Sequence, residues 1–145
     1  MKFKQWGVNL IFLACCVMGA QAQSVGILKS VQGKVGLNQP SAVRSVYAGD
    51  GVQTADRIVT GSGSSATLTL KDGSVVSVGP NSTLMLTDVK FDTTTQEGSL
   101  ILNLVQGSIR MVTGWLGKVH PDQVKVITPT SVVGVRGTDF IVEVP

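Results

Sequence analysis

The chain has 145 residues, of which 43% are hydrophobic and 14% charged, and its formal net charge is +3. That length allows one domain once any targeting segment is removed. The small charge excludes the basic footprint of a nucleic-acid-binding protein, and many Gly, Ser, Thr and Val residues beside few helix formers favour an all-β domain.

Residues 1–22 have the pattern of a cleavable signal peptide. Lys2 and Lys4 form a short basic start, an apolar run follows, and the small residues Ala20 and Ala22 mark a cleavage site. The apolar run is shorter than the roughly 20 residues that a membrane span needs. We therefore expect export to the periplasm or the medium, with no stable membrane span after cleavage.

Cleavage leaves a mature domain of residues 23–145 and changes its charge. Without Lys2 and Lys4, the 12 basic residues become ten against nine acidic ones, a net charge near +1. Both cysteines leave with the signal, so the mature chain can form no internal disulfide. Lipidation of Cys15 is an alternative, which the poor fit of Phe12 to a lipoprotein cleavage box disfavours.

Short alternations of apolar and polar residues, separated by turn residues, begin at Val25. Val25 and Ile27 before Gly33, with Val35 and Leu37 after it, predict an opening hairpin. A run of turn and loop residues then leads to the clearest alternation in the chain.

In residues 66–70 leucine and alanine alternate with threonine, which predicts a strand with one buried face. The following Asp72-Gly73 predicts a type I′ turn, because both central residues of that turn need positive φ. Residues 75–78 return along the same face, 79–82 form a second turn, and 83–86 make a third strand. Together they predict a β-meander.

The polar stretch 88–99 predicts an exposed loop or a long hairpin tip. Alternation resumes in 100–104, Gln106-Gly107 predict a turn, and 108–113 is predicted to be the returning strand. An irregular segment, 114–122, precedes the last strands. These elements predict one compact all-β domain of about eight to ten short strands. Sandwich and roll both fit this pattern, and a short solenoid-like coil is not excluded.

Near the end of the chain, two strand-like runs flank a segment broken by Gly134 and Gly137, as at a bend or bulge. Arg136 and Asp139 lie inside it, and an ion pair across the bend is the simplest interpretation. If that pair is buried, losing one partner costs about 3–5 kcal/mol, so Arg136→Ala is predicted to destabilise the fold.

The motifs occur in an order that is more specific than any one of them. They are Gly33-Lys34-Val35, Gly49-Asp50, 52–54, 65–68, 70–74, 79–84, 104–110, Thr128-Pro129-Thr130, and the closing piece with Gly134, Arg136, Gly137, Thr138, Asp139 and Phe140. This ordered set resembles the FecR protein domain, the periplasmic module named after the ferric-citrate regulator.

The resemblance implies an all-β exported domain without catalytic activity. The namesake regulators relay the state of an outer-membrane transporter across the inner membrane to a sigma factor. They carry a cytoplasmic segment and a spanning helix where this chain has its expected signal peptide. We therefore expect a stand-alone module that binds an envelope protein or polymer, with iron-uptake regulation as the alternative. The sequence specifies neither the identity of that partner nor an oligomeric state.

No constellation of residues indicates chemistry. His120 is the only histidine, so a zinc site with three or four His or Cys ligands is excluded in the mature chain. A Ser-His-Asp site would have to use His120 and Asp122, and no G-x-S-x-G pattern supports it. Asp50, Asp56, Asp72 and Asp139 could ligate calcium or act as an acid–base pair. No EF-hand spacing exists among them, and they are interpreted as structural turn residues. We expect no catalytic residue, no metal ligand and no cofactor.

Two further features of the sequence could serve to bind a partner protein. Trp115 and Leu116 lie between glycines, either as a cap on the core or as an exposed anchor for a partner protein. An open sheet edge is the other feature, because it can pair with a strand of another chain.

Overall fold

The computed structural model describes residues 24–39, 42–135 and 139–145 of the chain. Within them lie twelve strands, one five-residue helix and a 3₁₀ turn. The first six strands are β1 (Gly26–Gln32), β2 (Val35–Gln39), β3 (Ala42–Ser45), β4 (Gly51–Val52), β5 (Arg57–Thr60) and β6 (Ser65–Leu70). The remaining elements are β7 (Val75–Val78), β8 (Thr83–Phe91), β9 (Gly98–Val112), α1 (Trp115–Val119), the 3₁₀ turn Pro121–Gln123, β10 (Val124–Ile127), β11 (Val132–Gly134) and β12 (Asp139–Val144).

The 15-residue strand β9 joins two halves of one curled sheet. We call these two halves the first sheet and the second sheet. The N-terminal part of β9 lies in the first sheet, in the order β3-β2-β5-β8-β9-β10-β11. Its C-terminal part lies in the second sheet, in the order β4-β1-β6-β7-β9-β12. Every pair is antiparallel except β9 with β10. The strands form a curled half-barrel, which confirms the all-β prediction. Since β9 runs through both halves, the architecture is a roll rather than a sandwich of separate sheets.

The core lies between the two halves and follows the predicted alternation. Along β6 every second side chain is buried, and the threonines between them lie on the outer face. The leucines of β9 at 100, 102 and 104 are buried in the same way. Fully burying one such side chain contributes about 1.5–3 kcal/mol. The largest core residues are Leu28, Leu37, Ile58, Leu68, Leu84, Leu86, Leu100, Leu102, Leu104, Ile109, Met111 and Leu116.

The predicted opening hairpin is wrong. Strand β1 pairs with β4 and β6, whereas β2 pairs with β3 and β5, so the chain crosses from the second sheet to the first at Gly33. Gly33 has φ of +74°, a conformation that glycine adopts without steric cost. The period-two pattern of Val25 and Ile27 also predicted the wrong buried face of β1, because Leu28 is buried and Ile27 is 52% exposed.

The predicted meander is correct for two strands and wrong for the third. Strands β6 and β7 form the expected hairpin, but β8 pairs with β5 and β9 in the first sheet. The turn residues 79–82 carry the chain between sheets and do not reverse it within one. Alternation fixes which face of a strand is buried, and it leaves open which strand lies beside it.

The β6–β7 turn also differs from the two-residue type I′ form. The Gly73 amide donates to the Leu70 carbonyl at 3.0 Å, and the Leu70 amide donates to the Ser74 carbonyl at 2.8 Å. Only Gly73 has positive φ, +86°, so the connection has three residues, a type I turn followed by a glycine bulge.

Four sheet crossings lie side by side and form what we call the corner row, made of Gly33-Lys34, 61–64, 79–82 and Gly107-Ser108. Serine hydroxyls join neighbouring members. The Lys34 amide donates to Ser64 Oγ at 2.9 Å, and the Ser108 amide donates to Ser82 Oγ at 3.0 Å. The corner row therefore accounts for several of the glycine- and serine-containing motifs found in the sequence.

Candidate functional site

Strand β12 forms one side of the second sheet. It pairs with β9 over six residues, from Asp139 opposite Val112 to Val144 opposite Gly107. Within the described ranges no strand pairs with its other side. An edge of this kind presents unpaired backbone N–H and C=O groups, which are a template for another strand.

The other sheet ends offer less. Strand β4 has two residues and β11 has three, whereas β12 has six. Strand β3 has four residues. Since main-chain hydrogen bonds along the edge supply the affinity of strand addition, the longest edge is the best candidate.

The sequence of β12 explains how it is held. Val142 is buried against the core, and Phe140 and Val144 are partly buried and pack on it. The alternate side chains point outward, and Ile141 at the centre is 65% exposed. Natural edge strands are usually protected by a central lysine, a proline or a bulge. A β-branched aliphatic residue in that place leaves the centre of the edge open to pairing, although Asp139 and Glu143 flank it.

An ion pair lies at the start of the edge. Arg110 Nε donates to Asp139 Oδ1 at 3.0 Å, and Arg110 Nη2 donates to Asp139 Oδ2 at 2.6 Å. These hydrogen bonds, rather than burial, hold the pKa of Asp139 below its ordinary value and raise the pKa of Arg110. Both side chains are exposed, so the pair contributes orientation more than stability.

This contact revises the expectation for the closing motif. Asp139 is engaged by Arg110 from the neighbouring strand, and it lies at the surface, so the cost of breaking a buried pair does not apply to it. Arg136, Gly137 and Thr138 lie outside the described residues, and the prediction for Arg136→Ala stays a prediction.

The other motif residues flank the edge. Gly134 ends β11, and a Cβ built on it would meet no atom within 4 Å. Asp139 and Phe140 are the first two residues of β12. The expected cleavage residues Ala20 and Ala22 lie outside the described residues.

The acids interpreted as turn residues accept backbone amides. Asp50 accepts the Tyr47 N–H at 2.9 Å, and Asp56 accepts the Gln53 N–H at 2.8 Å. In residues 24–39, 42–135 and 139–145, no group of three or more His, Cys, Asp or Glu side chains is placed to hold a metal ion.

Asp72 does more than close its turn. Its carboxylate accepts the Ser74 amide at 3.0 Å and the Ser74 hydroxyl at 2.8 Å. Ser74 Oγ accepts the Gly114 N–H at 2.9 Å, and the Asp72 carbonyl accepts the Trp115 N–H at 2.9 Å. The β6–β7 turn therefore holds the start of α1, a latch that the sequence did not reveal.

Of the Trp115-Leu116 pair, Leu116 is the cap on the core and Trp115 is the exposed residue. Leu116 is 1% exposed and covers the end of the core, whereas Trp115 is 42% exposed. His120 follows the helix, and its amide donates to the Leu116 carbonyl at 2.8 Å.

A cleft of about 710 Å³ opens at the end of the roll, between the β6–β7 turn and the β8–β9 hairpin tip. Its floor is apolar and includes Leu70, Leu100 and Leu116. Its rim carries both signs of charge, including Lys71 and Glu97. Sequence reasoning missed the cleft, because its walls come from segments that are far apart along the chain.

Fold and edge together define an all-β domain that presents an open strand and a surface ion pair. Among the described residues, no helix is long and apolar enough to cross a membrane.

The chain belongs to the FecR protein family, whose sequence profile matches residues 56–144, 89 of the 145 residues. This family is known as a regulatory component of iron-uptake signalling. The match includes the corner row from residue 61 onwards and ends within β12, whereas the motifs at Gly33 and Gly49 precede it. No curated protein and no solved structure matches the chain.

Proposed function

We propose that this protein is a non-enzymatic periplasmic binding module of the FecR family that takes a strand of a partner protein at the β12 edge. The observation that carries the proposal is the six-residue edge with Ile141 exposed at its centre. An incoming strand would satisfy the outward-facing amides and carbonyls of β12 and cover Ile141. Backbone hydrogen bonds would supply affinity, and side chains would supply specificity.

A partner protein fits this edge better than an envelope polymer does. Strand addition needs a regular array of N–H and C=O groups on both sides, which an extended polypeptide has. The apolar residue at the centre of the edge also matches a β-strand, since cross-strand pairs of β-branched residues stabilise neighbouring strands.

The test is capture from an envelope extract by the full chain carrying an affinity tag behind a Gly/Ser linker. Three baits are compared: the wild type, Ile141→Lys, and Ile27→Lys as the matched control. Ile27 is exposed on the outer face of the same sheet, but β1 lies between β4 and β6. A lysine at the centre of an edge strand discourages strand pairing, whereas a lysine on an interior strand leaves the edge open.

We expect proteins that the wild type and Ile27→Lys recover, and that Ile141→Lys loses. Equal recovery by all three baits would place the contact elsewhere on the domain. Recovery of no protein by the wild type would remove the proposal altogether.

A role in iron-uptake regulation is the second candidate, and the family match supports it. In that role the partner would be an outer-membrane transporter or a component of sigma-factor control. Deletion of the gene should then change the expression of iron-uptake genes under iron limitation, and should do so also when only Ile141→Lys is introduced. Unchanged expression in both strains would leave the binding module as the sole proposal.

A further inference from the structure

The outward-facing side chains of β12 form a short row with an uneven charge. They are Asp139, Ile141 and Glu143, and they alternate with the inward residues Phe140, Val142 and Val144. A strand laid against β12 would place one of its side chains beside each member of this row.

Asp139 brings little net charge to the row. Both of its carboxylate oxygens are held by Arg110, at 3.0 and 2.6 Å, so acid and base neutralise each other there. Arg110 itself lies opposite Ile141 on β9.

Glu143 is different. It is exposed, it lies opposite Ser108 on β9, and no ion pair to it occurs within the part of the chain that the structure describes. Along β12 the outer row is therefore neutral, then apolar, then negative.

The inner side of the edge is apolar throughout. Val142 is buried, and Phe140 and Val144 are partly buried against the core. An incoming strand would extend this face, so its inward side chains are expected to be apolar as well.

The direction of the incoming strand follows from the sheet. Each strand pair of the second sheet is antiparallel, and antiparallel ladders are slightly more stable per residue than parallel ones. An antiparallel partner reaches Glu143 before it reaches Ile141.

Resting on the proposed function, we infer that the partner segment runs antiparallel to β12 and carries a basic residue opposite Glu143. Two residues later it carries a β-branched apolar residue opposite Ile141, and the single residue between them, opposite Val142, is apolar. The partner is thus an extended, basic–apolar alternating segment of another protein.

A second copy of this chain fits the edge less well. With Ile141 opposite Ile141 of the copy, the antiparallel register places Asp139 opposite Glu143 on both sides. Because Arg110 already neutralises Asp139, a copy offers Glu143 no unpaired basic residue, whereas a basic partner segment does.

The test uses three synthetic peptides flanked by Ser and Asn for solubility. The first has the core Val-Lys-Val-Ile-Val-Thr, the second replaces its Lys with Glu, and the third has the first core in reverse order. Each is labelled and titrated with the full chain by fluorescence anisotropy. Amide hydrogen exchange of residues 139–144 reports whether the peptide lies on β12. The variants are Glu143→Lys and, as the matched control, Glu97→Lys on the exposed hairpin tip.

We expect the wild type and Glu97→Lys to bind the lysine peptide roughly three- to tenfold tighter than the glutamate peptide. Glu143→Lys should reverse that order, and high salt should shrink the difference. The reversed peptide should bind more weakly than the first peptide to the wild type.

Other outcomes would overturn specific parts. Protection of the β12 amides with equal affinity for the lysine and glutamate peptides would overturn the charge preference and keep the strand edge. Tighter binding of the reversed peptide would overturn the antiparallel direction. A homodimer that Ile141→Lys dissociates, seen by sedimentation, would assign the edge to a second copy. Absence of any peptide binding and of any β12 protection would count against both this inference and the proposed function.

Discussion

Arg110 and Asp139 join β9 to β12 through two parallel hydrogen bonds at the first residue of the edge. The pair lies at the surface, so its main effect is to fix the start of β12 in register with β9. This arrangement has a consequence for pH that can be measured directly.

The pKa of Asp139 is lowered in the folded chain, first by its hydrogen bonds with Arg110. A lowered pKa means that the folded state favours the charged carboxylate. The stability that this group contributes is therefore present above the pKa of the unfolded chain, and it is lost as the pH falls through the folded pKa. In Arg110→Gln the pKa of Asp139, followed by carboxyl carbon NMR, should rise to its ordinary value. Arg57→Gln, which removes an arginine from β5, should leave it unchanged. The same pKa in both variants would show that Arg110 does not hold Asp139 in solution.

Any side chain at Gly107 is predicted to destabilise the fold. It has φ of +94°, and a Cβ built on it would collide with Ser82, which is buried in the corner row. Gly107→Ala should cost about 2–4 kcal/mol, from backbone strain and overpacking together. Gly63 also has positive φ, +64°, but a Cβ there meets nothing within 4 Å, so Gly63→Ala should cost only about 1 kcal/mol. Denaturant unfolding of both variants measures the difference, and equal costs would argue against the close contact with Ser82.

Ser74 is predicted to be the central residue of the latch between the β6–β7 turn and α1. Its hydroxyl donates to Asp72 and accepts from the Gly114 amide, and the residue is fully buried. Ser74→Ala leaves a buried N–H and a buried carboxylate with fewer partners, at a cost of about 1–3 kcal/mol. Hydrogen exchange should show faster exchange of the Gly114 and Trp115 amides. Ser77→Ala, on the outer face of β7, should change stability by less than about 0.5 kcal/mol.

The division between Leu116 and Trp115 gives a fourth prediction. Leu116→Ala should lower the free energy of unfolding by about 2–5 kcal/mol, because it opens a cavity at the end of the core. Trp115→Ala should cost much less, since Trp115 is 42% exposed. Thermal unfolding of the two variants compares them, and a larger loss for Trp115→Ala would make the tryptophan the cap.

Much of the fold followed from alternation. The buried faces of β6, β7 and the first half of β9 were predicted residue by residue, because an apolar side chain at every second position can face the core only in an extended strand. The turn predicted at Gln106-Gly107 is wrong, since β9 continues through Gly107 into the second sheet. The pairing of β1 with β6, and of β8 with β5, could not be predicted in this way. A glycine that crosses between sheets resembles a glycine that closes a hairpin, since both need positive φ.

For the site, too, the local sequence pattern was predictable and the contacts between distant strands were not. The closing motif marked the stretch that contains β12, and an open sheet edge was expected somewhere in the fold. The pairing of Asp139 with Arg110 depended on which strand lies beside β12, and 29 residues separate the two side chains along the chain. The Ser74 latch was hidden for the same reason, because Ser74 meets Gly114 across 40 residues.

The position of β9 bears on how the molecule is assembled. Strands β7, β8, β10 and β12 all pair with it, yet it begins only at Gly98. When the chain is synthesised from its N-terminus, neither half of the core can close until about two thirds of the residues have been made. Contacts between residues so distant in sequence slow folding, because the entropy of closing long loops is lost before those contacts form. We therefore expect this topology to fold slowly, with both halves of the core closing only once β9 is available.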